Sequence, residues 1–305
     1  MTDLISSYDT ALFDLDGVIY LGDAPVPGAA ETIVALHERG IHVGFVTNNA
    51  ARSPQTVADH LVELGIPAGP DDIVTSAQAV ARLMSDQLPA GASVLVTGSP
   101  ALADEVRAVG LVPVVSSADH PAAVVLGFWP QLTWADINDA CFAVQSGAVW
   151  YGCNPDLTRP SLEGEAIGLG TMLTAMKATM PGQEPILAGK PCRPLLDETL
   201  RRLGGTRPIF VGDRLDTDIE GAHVAGIDSL FVLSGSHTEA DLVSARPGQR
   251  PTYVAADISG LLAPAAGAGS GHVDQVWRDA QAAWAAADKA SETTRPTSRG
   301  PHRLH

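Results

Sequence analysis

The chain has 305 residues, 45% of them hydrophobic, which is enough for about two domains of roughly 100–200 residues each. Its formal net charge of −16 argues against nucleic acid or an anionic membrane as the main partner. The three cysteines are widely spaced with no C-x-x-C, no apolar run approaches the roughly 18 residues of a membrane span, and no basic-then-apolar leader opens the chain, so a soluble cytoplasmic protein with reduced thiols is expected.

In chain order, the first predicted strand covers 11–15 and runs into Phe13-Asp14-Leu15-Asp16-Gly17-Val18. Residues two apart on a strand share a face, so Asp14 and Asp16 are expected at its C-terminal tip, pointing the same way. Two anions that close repel, and such a pair persists when a cation, a shared proton or a reaction intermediate offsets the repulsion. An amphipathic helix over 31–38 follows, closed by Gly40. The strand at 42–47 ends in Thr47-Asn48-Asn49. Ser53 then reads as an N-cap, Pro54 as the first helical position and Gly65 as the stop of a helix to residue 64.

Strands at 93–97, 122–128 and 149–152 alternate with helical patterns and end in no comparable polar cluster. Gly164, Gly168 and Gly170 lack the G-x-G-x-x-G spacing and follow no predicted strand, so they read as backbone turns. Gly189-Lys190-Pro191 opens a helix to residue 203. The strand at 209–212 leads into Gly212-Asp213-Arg214, with Asp216 read as a helix N-cap, and a last strand covers 229–233. Strands alternating with helices argue for a parallel sheet covered on both faces, which binds ligands at the C-terminal strand ends.

The polar groups fall before residue 50 or after residue 185. One core is therefore expected from 1–80 plus 185–262, with an inserted α/β cap domain over 81–184. Residues 263–290 form a linker followed by a helix with one apolar stripe at Val273, Trp277, Ala280, Trp284 and Ala287. That stripe docks on the body or meets a partner or second subunit, so a homo-oligomer stays open. The tail over 291–305 reads as disordered, with His302 and His305 solvated.

Two strand-tip aspartates, one distant aspartate, a hydroxyl and one lysine make a coherent phosphoryl-transfer set. The site must neutralise a dianionic phosphoryl group, align a nucleophile and protonate the leaving oxygen. A carboxylate can be the nucleophile, and Mg²⁺ takes hard oxygen ligands and relieves repulsion between aspartate and phosphate.

On these residues the chain resembles a haloacid-dehalogenase (HAD) superfamily phosphatase. It is most similar to the NagD-like or 4-nitrophenylphosphatase branch, which includes phosphoglycolate, pyridoxal-phosphate and glycerol-3-phosphate phosphatases. The resemblance rests on Asp14-Leu15-Asp16-Gly17-Val18-Ile19-Tyr20, Phe45-Val46-Thr47-Asn48-Asn49, Gly189-Lys190-Pro191 and Gly212-Asp213-Arg214-Leu215-Asp216-Thr217-Asp218, with Asn154-Pro155-Asp156 inside the cap, and covers 8–262. It implies a HAD-type Rossmann-like α/β core and an aspartyl-phosphate intermediate. Asp14 would be the nucleophile and Asp16 the general acid and base. Mg²⁺ would bind Asp14, the Asp16 carbonyl and Asp213, while Thr47, the Asn48 amide and Lys190 would hold the phosphoryl oxygens. Asp218 would orient the metal waters or Lys190.

In this superfamily the cap chooses the leaving group, which makes Asn154, Asp156 and Arg159 the substrate-selecting candidates, Arg159 against a reading as a surface charge. The substrate implied is a small phosphorylated metabolite, glycerol 3-phosphate first, with phosphoglycolate, nucleoside monophosphate and pyridoxal phosphate as alternatives. A catalytically silent binding or regulatory module is the alternative of another class. Dehalogenation is disfavoured because acid–base work by Asp16 would be superfluous there.

Overall fold

Two parallel sheets organise the computed structural model, which describes residues 2–161, 164–266 and 270–294. The first has six strands in the order Tyr253–Ala255, Asp228–Val232, Pro208–Gly212, Thr10–Phe13, His42–Thr47, Ile73–Thr75. The second has five, in the order Ile186–Leu187, Val149–Gly152, Ala123–Leu126, Ser93–Thr97, Val112–Val114. The central strands are those the sequence announces, since strands buried on both faces read as unbroken apolar runs. The four strands it does not announce are the four sheet edges: 73–75, 112–114, 186–187 and 253–255. Each is two or three residues long and pairs on one side only, which leaves no run to detect. Two hairpins, Tyr20–Leu21 with Ala24–Pro25 and Thr158–Ser161 with Gly164–Ile167, were likewise not expected.

The first strand stops at Phe13, two residues short of the expectation. Beyond it the Leu15 carbonyl accepts the N–H groups of Val18, Ile19 and Tyr20, which curls the chain into a turn through Gly17 at φ 84°. Asp14 and Asp16 therefore stand on this turn rather than on the strand.

Helix Pro54–Glu63 begins as the sequence implies, with the Ser53 side chain accepting the Thr56 N–H at 3.2 Å. Helix Ser76–Gln87 opens with a capping box in which Thr75 and Gln78 satisfy each other's backbone N–H. It runs through the expected boundary at 80/81. Ala77, Ala79, Val80, Ala81 and Met84 are all buried, because the helix packs on Arg193–Leu203 on one side and Pro100–Ala108 on the other. A single apolar cluster runs from Leu12, Val46 and Phe210 of the first sheet to Val94, Val124 and Tyr151 of the second. The other expected boundary, 184/185, falls just before Ile186–Leu187, which still pairs with the second sheet.

Helix His272–Thr294 lies on the first sheet's side of the molecule. Val276, Trp277, Ala280 and Trp284 are buried against Leu215, Ile219, Phe231 and Leu242, and Trp284 Nε1 donates to the Leu242 carbonyl at 3.0 Å. The stripe thus docks on the body. It ends one turn earlier than expected, with Ala287 exposed. The expected tail lies, from residue 295 onward, outside the described residues. No described helix is long and apolar enough to cross a membrane.

Candidate active site

In-register pairing delivers the site residues to one edge. Phe13 pairs with Val211 on one side and Phe45 on the other, so the chain leaves the sheet at Asp14, Thr47-Asn48 and Asp213 side by side. This is the C-terminal edge, where a parallel sheet binds ligands. Lys190 reaches the same edge from the loop before helix Arg193–Leu203.

Lys190 is buried, and its Nζ donates to Asp14 Oδ1 and pairs with Asp218 Oδ1, both at 2.7 Å. Burial alone would lower its pKa, but Asp14 and Asp218 outweigh that and raise it, so the amine stays charged. Burial pushes Asp14 well above the usual carboxylate range, opposed by Lys190 and reinforced by Asp218 and Asp213. Asp213 is fully buried. Desolvation and the Asp218 charge push it up to about 6, against hydrogen bonds from Ser236 and the charge of Lys190. Its Oδ2 accepts the Ser236 N–H at 2.6 Å, while its Oδ1 has no hydrogen-bond partner among the described residues. Two glycines close in on this carboxylate: a Cβ on Gly17 would stand 2.5 Å from Asp213 Oδ2, and one on Gly235 2.1 Å. Asp14, Asp213 and Asp218 each offer an oxygen, all within 4.8 Å of one another.

This donor set fits a hard divalent cation. Three carboxylates face one ammonium, and the orphaned Asp213 oxygen has been desolvated without compensation. Asp218 is already committed, with Oδ1 on Lys190 and Oδ2 accepting the Arg214 N–H at 3.1 Å.

Asp16 faces the same cleft from the turn. Withdrawal from bulk water raises its pKa, and Arg52, Lys190 and His60 pull it back. Thr47 Oγ1 accepts the Asn49 N–H at 3.0 Å. The Asn48 side-chain amide is spent within the protein, on Asp156 and on the Lys190 backbone. Asn154 and Asp156 sit on the loop after Val149–Gly152, and both bond to Asn48. Arg159, on the hairpin, lies 4.3 Å above the Phe128 ring centroid and lines the cleft rather than standing as a free surface charge. The cleft holds about 510 Å³ and takes in all of these groups except Asp213.

Arg52, His60 and Phe128, which the sequence did not single out, also line the cleft, as do Tyr20 and Arg214, which its motifs contain without a role. Arg52 could have been found from its place just past Thr47-Asn48-Asn49, on a loop leaving the active edge. Asp216 is not a helix N-cap. It lies inside the turn Leu215–Ile219 and takes the Arg214 fork at 3.1 and 3.0 Å. Gly168 and Gly170 do follow a strand, one capping and one entering helix Leu169–Lys177, where the Asp156 and Pro155 carbonyls leave no room for a Cβ.

Two family models match the chain, a haloacid dehalogenase-like hydrolase over residues 11–112 and a HAD-hydrolase-like model over 187–261. A D-glycerol 3-phosphate phosphatase of Mycobacterium tuberculosis is 44% identical over 86% of this chain and 73% of its own length. The chain belongs to the haloacid dehalogenase-like hydrolase family. An acid sugar phosphatase of Staphylococcus aureus is 33% identical over 85% of this chain and 98% of its own. Among solved HAD-like structures, the M. tuberculosis glycerol phosphate phosphatase in complex with magnesium superimposes with a TM-score of 0.87 at 39% identity, over 93% of each chain. A p-nitrophenyl phosphatase from Archaeoglobus fulgidus gives 0.77 at 30% identity, over 84% of this chain and 98% of its own. The gap between the two family models, 113–186, contains most of the second sheet.

Proposed function

We propose that this chain is a Mg²⁺-dependent phosphatase that hydrolyses a small phosphomonoester, glycerol 3-phosphate before others, with the second sheet acting as its cap. The observation that carries the reading is the Asp14–Lys190–Asp218–Asp213 cluster, with its excess of carboxylates and one orphaned oxygen. The choice of substrate is supported by the name of the M. tuberculosis relative. Asp14 and Asp213, with the Asp16 carbonyl, would hold the cation. Bound there, Mg²⁺ supplies positive charge that offsets the repulsion between the nucleophile and the phosphoryl group.

The chain's own residues then divide the work. An Asp14 oxygen attacks phosphorus, the ester P–O bond breaks, and Asp16 gives its proton to the leaving alkoxide. Burial raises its pKa above the usual carboxylate value, the direction a proton donor needs. Asp16 next takes a proton from water as that water attacks the aspartyl-phosphate, releasing phosphate and restoring Asp14. Lys190, kept charged by its two carboxylates, neutralises phosphoryl oxygens. Thr47 Oγ1 and the Asn48 backbone N–H are the uncharged donors we assign to the same oxygens. The setting we infer is the cytoplasm, where Cys141, Cys153 and Cys192, all free, would stay reduced.

The test is phosphate release from a panel of small phosphomonoesters with Mg²⁺. Glycerol 3-phosphate should exceed p-nitrophenyl phosphate by at least about tenfold in kcat/KM, as expected where a site hydrogen-bonds the leaving group. No release from any member of the panel would return the chain to the binding-module alternative.

A further inference from the structure

Asn48 uses every polar atom of its side chain. Oδ1 accepts the Lys190 N–H at 2.8 Å, while Nδ2 donates to the Lys190 carbonyl at 3.0 Å and to the Asp156 carboxylate at 3.1 and 3.3 Å. Only one orientation of the amide works, because the reverse would set its oxygen against a carbonyl and a carboxylate. Its main-chain carbonyl accepts from Ser76 Oγ at 2.6 Å and from Asn154 Nδ2 at 2.7 Å, and Asn154 Oδ1 accepts the Asp156 N–H at 3.2 Å. Gly189, next to Lys190, closes the knot. Its N–H donates to the Cys153 carbonyl at 2.7 Å, and a Cβ there would stand 2.6 Å from both that carbonyl and Asn48 Oδ1. The loop 153–156 of the second sheet is thus interlocked with the two core loops that carry Asn48 and Lys190.

We propose that Asn154 and Asp156 are positioning residues: they hold Asn48, and through it the Lys190 backbone, and do not choose the leaving group. The inference rests on the phosphatase reading. Of their polar atoms, Asn154 Nδ2 is engaged by the Asn48 carbonyl, Asn154 Oδ1 by the Asp156 N–H, and both Asp156 oxygens by Asn48 Nδ2. The mechanical path is short: the Asp156 carboxylate fixes the Asn48 amide, the amide clamps the Lys190 peptide from both sides, and Lys190 Nζ sits on Asp14. A displacement of about 1 Å in such a chain is enough to cost about 100-fold in rate. Selection of the leaving group then falls to groups outside the knot, Arg159 with Phe128 beneath it and Arg52 on the core loop.

The experiment compares Asp156→Ala, Asp156→Asn and Asn154→Asp on glycerol 3-phosphate and p-nitrophenyl phosphate, with inorganic phosphate binding measured by calorimetry in the presence of Mg²⁺. Asp156→Ala should lower kcat for both substrates by about 10- to 100-fold and weaken phosphate binding, while the ratio of the two kcat/KM values stays within about twofold. Asp156→Asn keeps an acceptor for Asn48 Nδ2 and removes the charge that Arg214, and more weakly Lys190 and Asp218, feel, so it should recover to within about fivefold. Asn154→Asp loses the donor to Asn48 and should behave as Asp156→Ala does, which serves if the alanine variant does not fold. A tenfold change in the substrate ratio, or full kcat in Asp156→Ala, would overturn the proposal. If the wild type turns over neither substrate, the phosphatase reading fails, and unchanged phosphate affinity in Asp156→Ala separately rejects the positioning role.

Discussion

Asp213 and Glu198 are both buried carboxylates with basic residues nearby, and they are finished differently. Glu198 sits on helix Arg193–Leu203. It takes Arg201 at 2.7 Å on each oxygen and Arg202 at 2.5 Å, both arginines reaching out toward solvent. Burial works to raise its pKa, yet those two arginines hold it below the usual range. Asp213 has one oxygen on a backbone N–H and the other on nothing described, with Asp14 and Asp218 adding charge of its own sign. Its pKa is pushed up to about 6. A carboxylate whose acceptors are all filled is architecture. One left short of partners, among its own kind, is held ready for something that arrives from outside.

Substitutions sharpen that contrast. Asp14→Asn should cut turnover by at least about 10⁴-fold, as loss of a nucleophile does, while the metal-free protein melts no lower than wild type because one anion has left a crowded site. Asp213→Asn should raise the Mg²⁺ concentration for half-maximal rate by about 10- to 100-fold and also raise the melting temperature of the metal-free protein. Unchanged metal dependence would move the ligand role to Asp218. Glu198→Gln should do the opposite, keeping turnover within about twofold while lowering stability by about 1–3 kcal/mol in urea titration.

The smallest effect is the pH dependence, and its sign differs between the two groups. The native state holds the Asp213 proton more tightly than the unfolded chain, whose value is near 3.8, so metal-free stability should fall as pH rises from there to about 6. Glu198 is depressed from 4.5, so its contribution is present above that value and is lost as pH falls through its native value. Denaturant midpoints against pH should show the first slope flattened in Asp213→Asn and the acid limb flattened in Glu198→Gln.

The sequence made the placement legible where a carboxylate or hydroxyl follows a central strand, as at Asp14, Thr47 and Asp213, or a lysine stands just before a helix, as at Lys190. Edge strands of two or three residues carried no periodic signal. The expected boundary near residue 80 falls inside helix Ser76–Gln87, whose Ala77, Ala79, Val80 and Ala81 are all buried. Asn154 and Asp156 stood out by their place after a strand of the expected cap, but their partner Asn48 is 106 and 108 residues away in sequence, so these bonds could not be read. Arg52 belongs to a loop without periodicity, and its place just past Thr47-Asn48-Asn49 is the one signal it carried.

The central claim is that the Asp14 oxygen itself takes the phosphoryl group. The direct measurement is an acid quench during turnover of a phosphomonoester with Mg²⁺, followed by digestion and mass analysis of the peptide containing Asp14. The account predicts a fraction of that peptide carrying one phosphoryl group, labile to mild base and absent from Asp14→Asn. A phosphatase that turns over rapidly with this peptide never modified, or with the label on another residue, would contradict it.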